Sequence, residues 1–320
     1  MKTFQLRGLL QNNSWVSPAY VSVDDEGIIT SVSDKPSHVA VNENLDCYAI
    51  PGFQNAHSHA FQYAMAGLAE THSTSETPDD FWSWRDAMYK LALSISPDEL
   101  ESIATMLYSE MLRHGYTNVA EFHYVHHDKN GKAFDNLSEM GERLVAAAKT
   151  VGIGITLVPI FYQKGGFGKN PTDGQKRFIS HTVEDYYKLL EASKQSCSHY
   201  KHANIAIGIH SMRGVEPKDI AEVAKNGIQD IPFHIHISEQ HKEVQDCLNW
   251  SGLRPVQWLH NEIGLNKRWC LVHATHLDQS ELKAIASSHA IAGLCPTTEA
   301  NLGDGIFPAV EYENVKGRWG

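Results

Sequence analysis

Cysteine is scarce in this 320-residue chain, and its few copies follow no pattern. The five cysteines are odd in number, are scattered along the chain and include no C-x-x-C pair. Structural disulfides need paired cysteines and an oxidising compartment, whereas isolated cysteines are typical of reduced thiols in the cytosol. The cysteine pattern therefore predicts a cytoplasmic protein with reduced thiols.

Long apolar runs and a surplus of positive charge are missing as well. No apolar stretch approaches the ~18 residues of a membrane span, and the N-terminus has none of the features of a signal peptide. The formal net charge of -11 argues against nucleic acid or an anionic membrane surface as a partner. An anionic substrate would therefore have to meet a local cluster of arginine and histidine.

Short alternating segments predict a small antiparallel sheet in residues 1–50. The segments cover residues 4–10, 19–23 and 28–32, and the Asp-Asp-Glu-Gly stretch at 24–27 is a hairpin-turn signal between the last two. Such a sheet is too small to be stable alone. We expect residues 1–50 to form the N-terminal half of a small β-sheet domain.

From residue 48 onward, strand and helix patterns alternate. The predicted strands cover residues 48–53, 118–123, 154–161, 204–209, 232–237, 269–273 and 290–294. Strands that are apolar on both faces are typical of a parallel sheet covered by helices. Seven such repeats predict an α/β fold of the TIM (β/α)8 type, a barrel that needs eight strands when complete. No eighth strand is evident, so we expect residues 51–320 to form a barrel that ends before strand 8.

Two histidines, His57 and His59, follow the first predicted barrel strand. Because side chains repeat with a period of two along a strand, both imidazoles point the same way and can hold one cation. Imidazole nitrogen suits zinc, iron or nickel. The alternative is two surface histidines in a loop after the strand.

Histidines also end several of the other strands. In a parallel barrel these ends meet at one face, where catalytic groups lie. A metal that keeps an open position for water would explain such convergence better than packing does. The strand-end segments are 121–127, 210–213, 234–239 and 273–276.

The fifth and sixth strands offer the remaining groups of a hydrolytic site. His236 can complete a set of three neutral ligands, and a metal held by them would lower the pKa of bound water toward ~7. Glu239, three residues later, could then move a proton to a leaving group. His273 could stabilise the charge that develops on the attacking oxygen. For Glu239 the alternative is a cap of a helix that begins at Gln240.

These motifs together resemble the amidohydrolase superfamily, in its mononuclear deaminase branch. The resemblance rests on Asn-Ala-His-Ser-His at 55–59, His236-x-x-Glu239 and Leu-Val-His-Ala-Thr at 271–275. It implies that His57, His59 and His236 bind the metal. It further implies that Glu239 shuttles protons and that His273 lies near the oxyanion.

Longer stretches, covering nearly the whole chain, resemble the formimidoylglutamate deiminase family within that superfamily. They are residues 59–62, 81–85, 121–127, 210–213 and 298–308. The resemblance implies hydrolytic deimination of N-formimino-L-glutamate to N-formyl-L-glutamate and ammonia in histidine degradation. The side chains that it places on the substrate are Gln62, Arg85, Tyr124, His210 and Arg213. Arginine suits a dicarboxylate because it binds carboxylates in a planar, bidentate way, although Arg85 could instead be a surface residue beside Trp82 and Trp84.

The resemblance also implies the partners of the chain. It implies one Zn²⁺ per chain, with Fe²⁺ or another divalent ion as the alternative, a small dicarboxylate substrate and a homodimer. Neither nucleic acid nor a membrane is expected.

One part of the family pattern is missing. The family has a metal-binding aspartate at the end of strand eight, and Asp304 comes too early in the chain to replace it. The C-terminal strands that complete the small N-terminal β-sandwich are not found either. Two alternatives stay open: the missing strand motivates an inactive truncated fragment, and a deaminase of a purine or other heterocycle on the same scaffold is the enzymatic alternative.

Overall fold

A computed structural model describes residues 1–36, 40–68 and 81–320 of the chain. The side chains of Phe81, Trp82 and Ser83, which belong to one of the stretches named above, lie outside the described part. Contacts divide the chain into two compact units, Met1–Phe53 and Gln54–Gly320. The predicted division into domains at residue 50 stays a prediction, since compactness does not show independent folding. Among the described residues, no helix has the length and apolar character needed to cross a bilayer.

The first unit is a five-stranded sheet. Its strands are β1 (Lys2–Gln11), β2 (Ser14–Val16), β3 (Ala19–Val23), β4 (Ile29–Ser33) and β5 (Glu43–Ala49). The order β2-β1-β3-β4 is antiparallel, and β5 pairs with β1 in parallel. Leu6, Ala19 and Val21 are buried and form the small core of the sheet. The expected antiparallel sheet is thus present, with one parallel strand that its sequence did not indicate.

The second unit contains a parallel sheet in which eight strands follow one another, from β14 to β6, with β9 paired beside β8. The strands are β6 (Phe53–Ser58), β7 (Tyr116–His123), β8 (Gly154–Phe161), β9 (Ala203–Ile205), β10 (Ile207–Ser211), β11 (Phe233–Ile237), β12 (Trp269–His273), β13 (Ile291–Gly293) and β14 (Arg318–Trp319). The predicted α/β fold with a barrel-type parallel sheet is confirmed. Since the strands are parallel, their carboxyl ends lie along one edge of the sheet.

Helices alternate with these strands. They are α1 (Phe81–Ser94), α2 (Pro97–Arg113), α3 (Glu139–Val151), α4 (Val183–Cys197), α5 (Pro217–Asn226), α6 (His241–Ser251), α7 (Pro255–Glu262), α8 (Gln279–Ser288), α9 (Pro296–Leu302) and α10 (Ala309–Asn314). The predicted start of α2 is present: Ser96 accepts a hydrogen bond from the backbone N–H of Glu99, and the Glu99 carboxylate accepts one from the N–H of Ser96.

Three strand predictions need correction. The strand expected at residues 204–209 is divided into β9 and β10. The strand expected at residues 48–53 is instead the end of β5 followed by the start of β6, because Pro51-Gly52 separates them. The prediction followed the apolar residues of 48–53, whereas β6 itself, Phe-Gln-Asn-Ala-His-Ser, is largely polar. The barrel also does not end before strand 8: Arg318 and Trp319 pair in parallel with Ile291 and Ala292. Two residues are too few to show an alternating pattern.

A buried arginine joins the end of α1 to the loop after β7. Arg177 is fully buried, and its guanidinium donates hydrogen bonds to the backbone carbonyls of Ala92, Ile95 and His127 at 2.5–2.7 Å. Burial lowers the pKa of Arg177 to about 10, so the side chain remains charged at neutral pH. The three carbonyls would otherwise be buried without a donor, which is unfavourable.

We expect Arg177→Met to lower the free energy of unfolding by about 3 kcal/mol or more, since it leaves several buried carbonyls unpaired. Urea denaturation of the purified protein measures this change. Arg113→Met is the matched control, because the Arg113 side chain is 72% exposed in its pair with Glu110, and exposed pairs contribute less than about 1 kcal/mol. Equal losses for the two variants would contradict the prediction.

Candidate active site

All ten predicted site residues line one cavity of about 780 Å³. It opens at the edge of the sheet formed by the carboxyl ends of the strands. The predicted residues on its wall are His57, His59, Gln62, Arg85, Tyr124, His210, Arg213, His236, Glu239 and His273. Their individual roles remain predictions, but the convergence expected from strand ends is present for these side chains.

Three histidines form the centre of the cavity. The Nε2 atom of His57 lies 3.0 Å from Nε2 of His59 and 3.1 Å from Nε2 of His236. Nitrogens bound to one tetrahedral zinc ion lie about 3.3 Å apart, given Zn–N distances of 2.0–2.1 Å. The three imidazoles are therefore spaced as ligands of one divalent ion would be.

The protonation of these histidines also suits a metal. His59 Nδ1 lies 2.8 Å from the carbonyl oxygen of Phe122, and because a carbonyl only accepts, Nδ1 carries the proton and leaves the Nε2 lone pair toward the cluster. Burial lowers the pKa of His59 to about 4 and lowers that of His57 and His236 well below the usual value. Neutral imidazole is the ligand form, so the donor set fits a divalent metal.

Glu121 holds the turn that carries His59. Its carboxylate accepts hydrogen bonds from the backbone N–H of Ala60 at 2.6 Å and from the hydroxyl of Tyr108 at 3.1 Å. Burial raises the pKa of Glu121 to about 7. The sequence placed Glu121 at a strand end but did not indicate this supporting role, which depends on the neighbouring strand and on α2.

His273 lies between two carboxylates. Its Nε2 atom is 3.4 Å from Oε1 of Glu239, and its Nδ1 atom is 3.3 Å from Oε1 of Glu299. Burial alone would lower the pKa of His273, but Glu239, Cys295 and Glu299 together raise it well above the usual value. Glu299, on α9, was not among the predicted site residues.

The backbone turns sharply where these groups leave their strands. Ser238, directly before Glu239, has φ of 51°, and His273 and Ala274 have φ of 70° and 49°. Left-handed backbone is uncommon for residues other than glycine, and such strained conformations cluster at functional sites. Glu239 and His273, which lie at these turns, both line the cavity and are close to each other.

The two predicted arginines have different environments. Arg213 is nearly buried and pairs with the carboxylate of Glu243 through its Nη1 atom at 3.0 Å. Arg85, on α1, lies with its guanidinium 5.4 Å from the ring centre of Tyr89 and 31% of its side chain exposed. Both face the cavity, so Arg85 is not a simple surface residue.

Gln62 and His210, the remaining predicted residues, contact tyrosine side chains. The side-chain amide of Gln62 donates a hydrogen bond to the hydroxyl of Tyr124 at 2.9 Å. The ring of His210 stacks on that of Tyr162, with centroids 3.9 Å apart and planes 15° from parallel. Tyr162, which the sequence did not indicate, also lines the cavity.

Several strand-end histidines do not line this cavity in the described part of the chain. His126 and His127 bond to the carbonyl oxygens of Ile160 and Ile179 through Nε2. His276 bonds to the carbonyl oxygen of Asp304. The expected convergence of strand-end histidines therefore does not extend to these three. Side chains alternate in direction along a strand, and beyond its end this alternation no longer fixes where a side chain points.

Asp304 lies near the site without lining the cavity. Its side chain accepts a hydrogen bond from Gln240. Burial, together with the charge of Glu239, raises its pKa to about 7. That Asp304 is not a metal ligand stays a prediction.

Residues 48–316 match the model of the amidohydrolase family. The chain belongs to the amidohydrolase family. It is 45% identical to formimidoylglutamate deiminase from Pseudomonas aeruginosa over 99% of this chain and 69% of that protein. The expected resemblance is thereby confirmed, and the chain is related to hydrolases of carbon–nitrogen bonds.

Two further comparisons place this amidohydrolase among its relatives. The crystal structure of an amidohydrolase from Brucella melitensis is 43% identical, with a TM-score of 0.92, over 100% of this chain and 70% of that one. A 5-methylthioadenosine/S-adenosylhomocysteine deaminase from Natronomonas pharaonis is 24% identical over 98% of this chain and 66% of that protein. The chain thus spans about two thirds of the length of these relatives.

Proposed function

We propose that the complete protein hydrolyses N-formimino-L-glutamate to N-formyl-L-glutamate and ammonia, as a step of histidine degradation. The observation that carries this proposal is one cavity in which three neutral histidines and Glu239 lie beside two arginines. The relative from Pseudomonas aeruginosa bears the name of this activity. The two carboxylates of this substrate suit the arginines of the cavity, and its amidine suits the side that holds the three histidines and Glu239.

The reaction adds water to the formimino carbon and expels its terminal nitrogen. A carbon–oxygen bond forms, the bond to the terminal nitrogen breaks, and that nitrogen leaves as ammonia with protons drawn from the water. Glu239 takes a proton from the attacking water and passes it to the departing nitrogen. His273, protonated between Glu239 and Glu299, donates a hydrogen bond to the oxygen that gains charge.

A metal ion would be held by His57, His59 and His236. When bound, it supplies a positive charge that makes water more acidic. We propose zinc as this ion, because three imidazole ligands with one open position are typical of catalytic zinc sites, although ferrous iron accepts the same ligands.

The substrate groups are assigned to the other wall. Arg213 and Arg85 bind the two carboxylates, and Gln62, Tyr124 and His210 contact the formimino group and the backbone of the substrate. We further propose a cytoplasmic homodimer that binds neither nucleic acid nor membranes. The reduced cysteines and the net charge of -11 support the location and the absence of polyanionic partners.

The direct test is ammonia release by the complete, metal-loaded protein. N-Formimino-L-glutamate, guanine and 5-methylthioadenosine are supplied in parallel, with ammonia measured by a coupled assay. Release from the formimino compound alone supports the proposal. Release from a purine alone would replace it with the purine deaminase alternative.

Arg213→Ala separates these two substrates further. We expect it to raise KM for the dicarboxylate by about 10²-fold, since removing one member of a buried charge pair weakens binding by 2–5 kcal/mol. A neutral purine would lose little. Arg213→Lys retains the charge without the planar fork and should lie between the two. An unchanged KM for the dicarboxylate in both variants, with unchanged thermal stability, would exclude Arg213 from substrate binding.

A further inference from the structure

Glu243 lies behind the wall of the candidate active site. It belongs to the first turn of α6, and its side chain is only 1% exposed. It is not part of the cavity lining. A buried carboxylate is unfavourable unless it is paired and hydrogen-bonded, so its contacts indicate why the fold keeps it there.

One oxygen of Glu243 connects two strand ends. Oε2 lies 3.0 Å from Nη1 of Arg213, which follows β10. The same oxygen accepts a hydrogen bond from the backbone N–H of Glu239, after β11, at 3.3 Å. The carboxylate thus touches both the arginine assigned to the substrate and the backbone of the residue assigned to proton transfer.

Both contacts restrain groups of the candidate site. The arginine side chain has about 2 kcal/mol of rotamer entropy to lose when it is ordered. Glu239 follows Ser238, whose backbone is left-handed with φ of 51°. A hydrogen bond to the amide of Glu239 therefore supports a turn that is intrinsically unfavourable.

We propose that Glu243 is a positioning residue, which orients the Arg213 guanidinium toward one carboxylate of the substrate and fixes the turn that presents Glu239. This inference rests on the proposed function for the identity of the substrate. Glu243 does not touch the substrate and acts through its two neighbours. Its charge serves Arg213, whereas its acceptor oxygen serves Glu239.

Glu243→Gln separates these two effects. Glutamine keeps an acceptor oxygen for the amide of Glu239 but loses the charge that holds Arg213. Because a hydrogen bond with an ionised partner is about twice as strong as a neutral one, we expect KM for N-formimino-L-glutamate to rise at least about tenfold. We expect kcat to change less than about threefold. Glu243→Ala removes both contacts and should lower kcat as well.

The chain provides a matched control in Glu281. Its side chain is fully buried, pairs with Nε of Arg254 at 2.7 Å, and accepts a hydrogen bond from the backbone N–H of Val256. Like Glu243, Glu281 is a buried glutamate that contacts an arginine and a backbone N–H, but neither it nor Arg254 lines the cavity. Glu281→Gln should lower the melting temperature as Glu243→Gln does, while leaving KM unchanged.

A double variant tests whether Glu243 acts through Arg213. Coupled residues are not additive, so Glu243→Gln should raise KM no further in an Arg213→Ala background. The inference is overturned if Glu243→Gln leaves KM unchanged, or if its effect persists fully without Arg213. A wild-type protein that releases no ammonia from N-formimino-L-glutamate would instead contradict the proposed function. In that case, Arg213 mobility in wild type and Glu243→Gln, observed by NMR of the guanidinium groups, still tests the positioning role.

Discussion

Replacing Glu239 by glutamine is expected to lower kcat for N-formimino-L-glutamate by about 10³-fold, within the 10²–10⁴ range of general acid–base catalysis. Glutamine preserves the size of the side chain but cannot accept and return a proton. Glu239 lines the cavity and faces His273 at 3.4 Å, and it is the one carboxylate among the described residues of the wall. Steady-state ammonia release measures the loss.

Two controls make this result specific. Metal content of the Glu239→Gln protein should equal that of the wild type, because Glu239 is not part of the cluster of three histidines that could hold a metal ion. Its KM should stay within about threefold, since the arginines that we assign to the substrate carboxylates are untouched. A variant that loses metal together with activity would show that Glu239 supports the metal site and not proton transfer.

Removing His236 should have the other large effect. His236→Ala takes away one of three clustered nitrogens, and even the loss of a group that only supports a ligand weakens metal binding 10–100-fold. We therefore expect metal affinity to fall more than about 100-fold and ammonia release to become undetectable at stoichiometric metal. Elemental analysis after dialysis against a weak chelator measures the bound ion.

His234→Ala is the control for His236→Ala. His234 lies on the same strand, β11, and is equally buried at 6% exposure, but it does not line the cavity. It should retain the metal and most of the activity. If both variants lost the metal equally, a general disturbance of β11 would explain the result, and His236 could not be assigned as a ligand from it.

Strand positions explain why so many site residues were predictable. Buried parallel strands have a strong apolar pattern, so their ends can be located, as for β8 and β12, which match the prediction. His236 and His273 follow directly from this. His57 was identified by its spacing from His59 and by family resemblance, although the strand that carries it begins five residues later than expected.

The supporting carboxylates could not be predicted in the same way. Glu121, Glu243 and Glu299 lie on three different elements, and their contacts with site residues form only when the elements pack together. In the sequence they resemble any other glutamate of a strand or a helix. A glutamate side chain either stays in solvent or holds a site residue, depending on its burial and on the direction in which it points. Both depend on the elements packed around it.

The sequence by itself determined the alternation of strands and helices, the chain order of the three histidines that cluster in the cavity, and the family to which the chain belongs. These features are local, because they depend on the period of apolar residues and on short motifs. Only the tertiary structure decided which strand-end histidines face the cavity, that Arg213 is paired, and that His273 lies between two carboxylates. Such properties arise from distances between residues far apart in the chain, and those distances exist only after the sheet has formed.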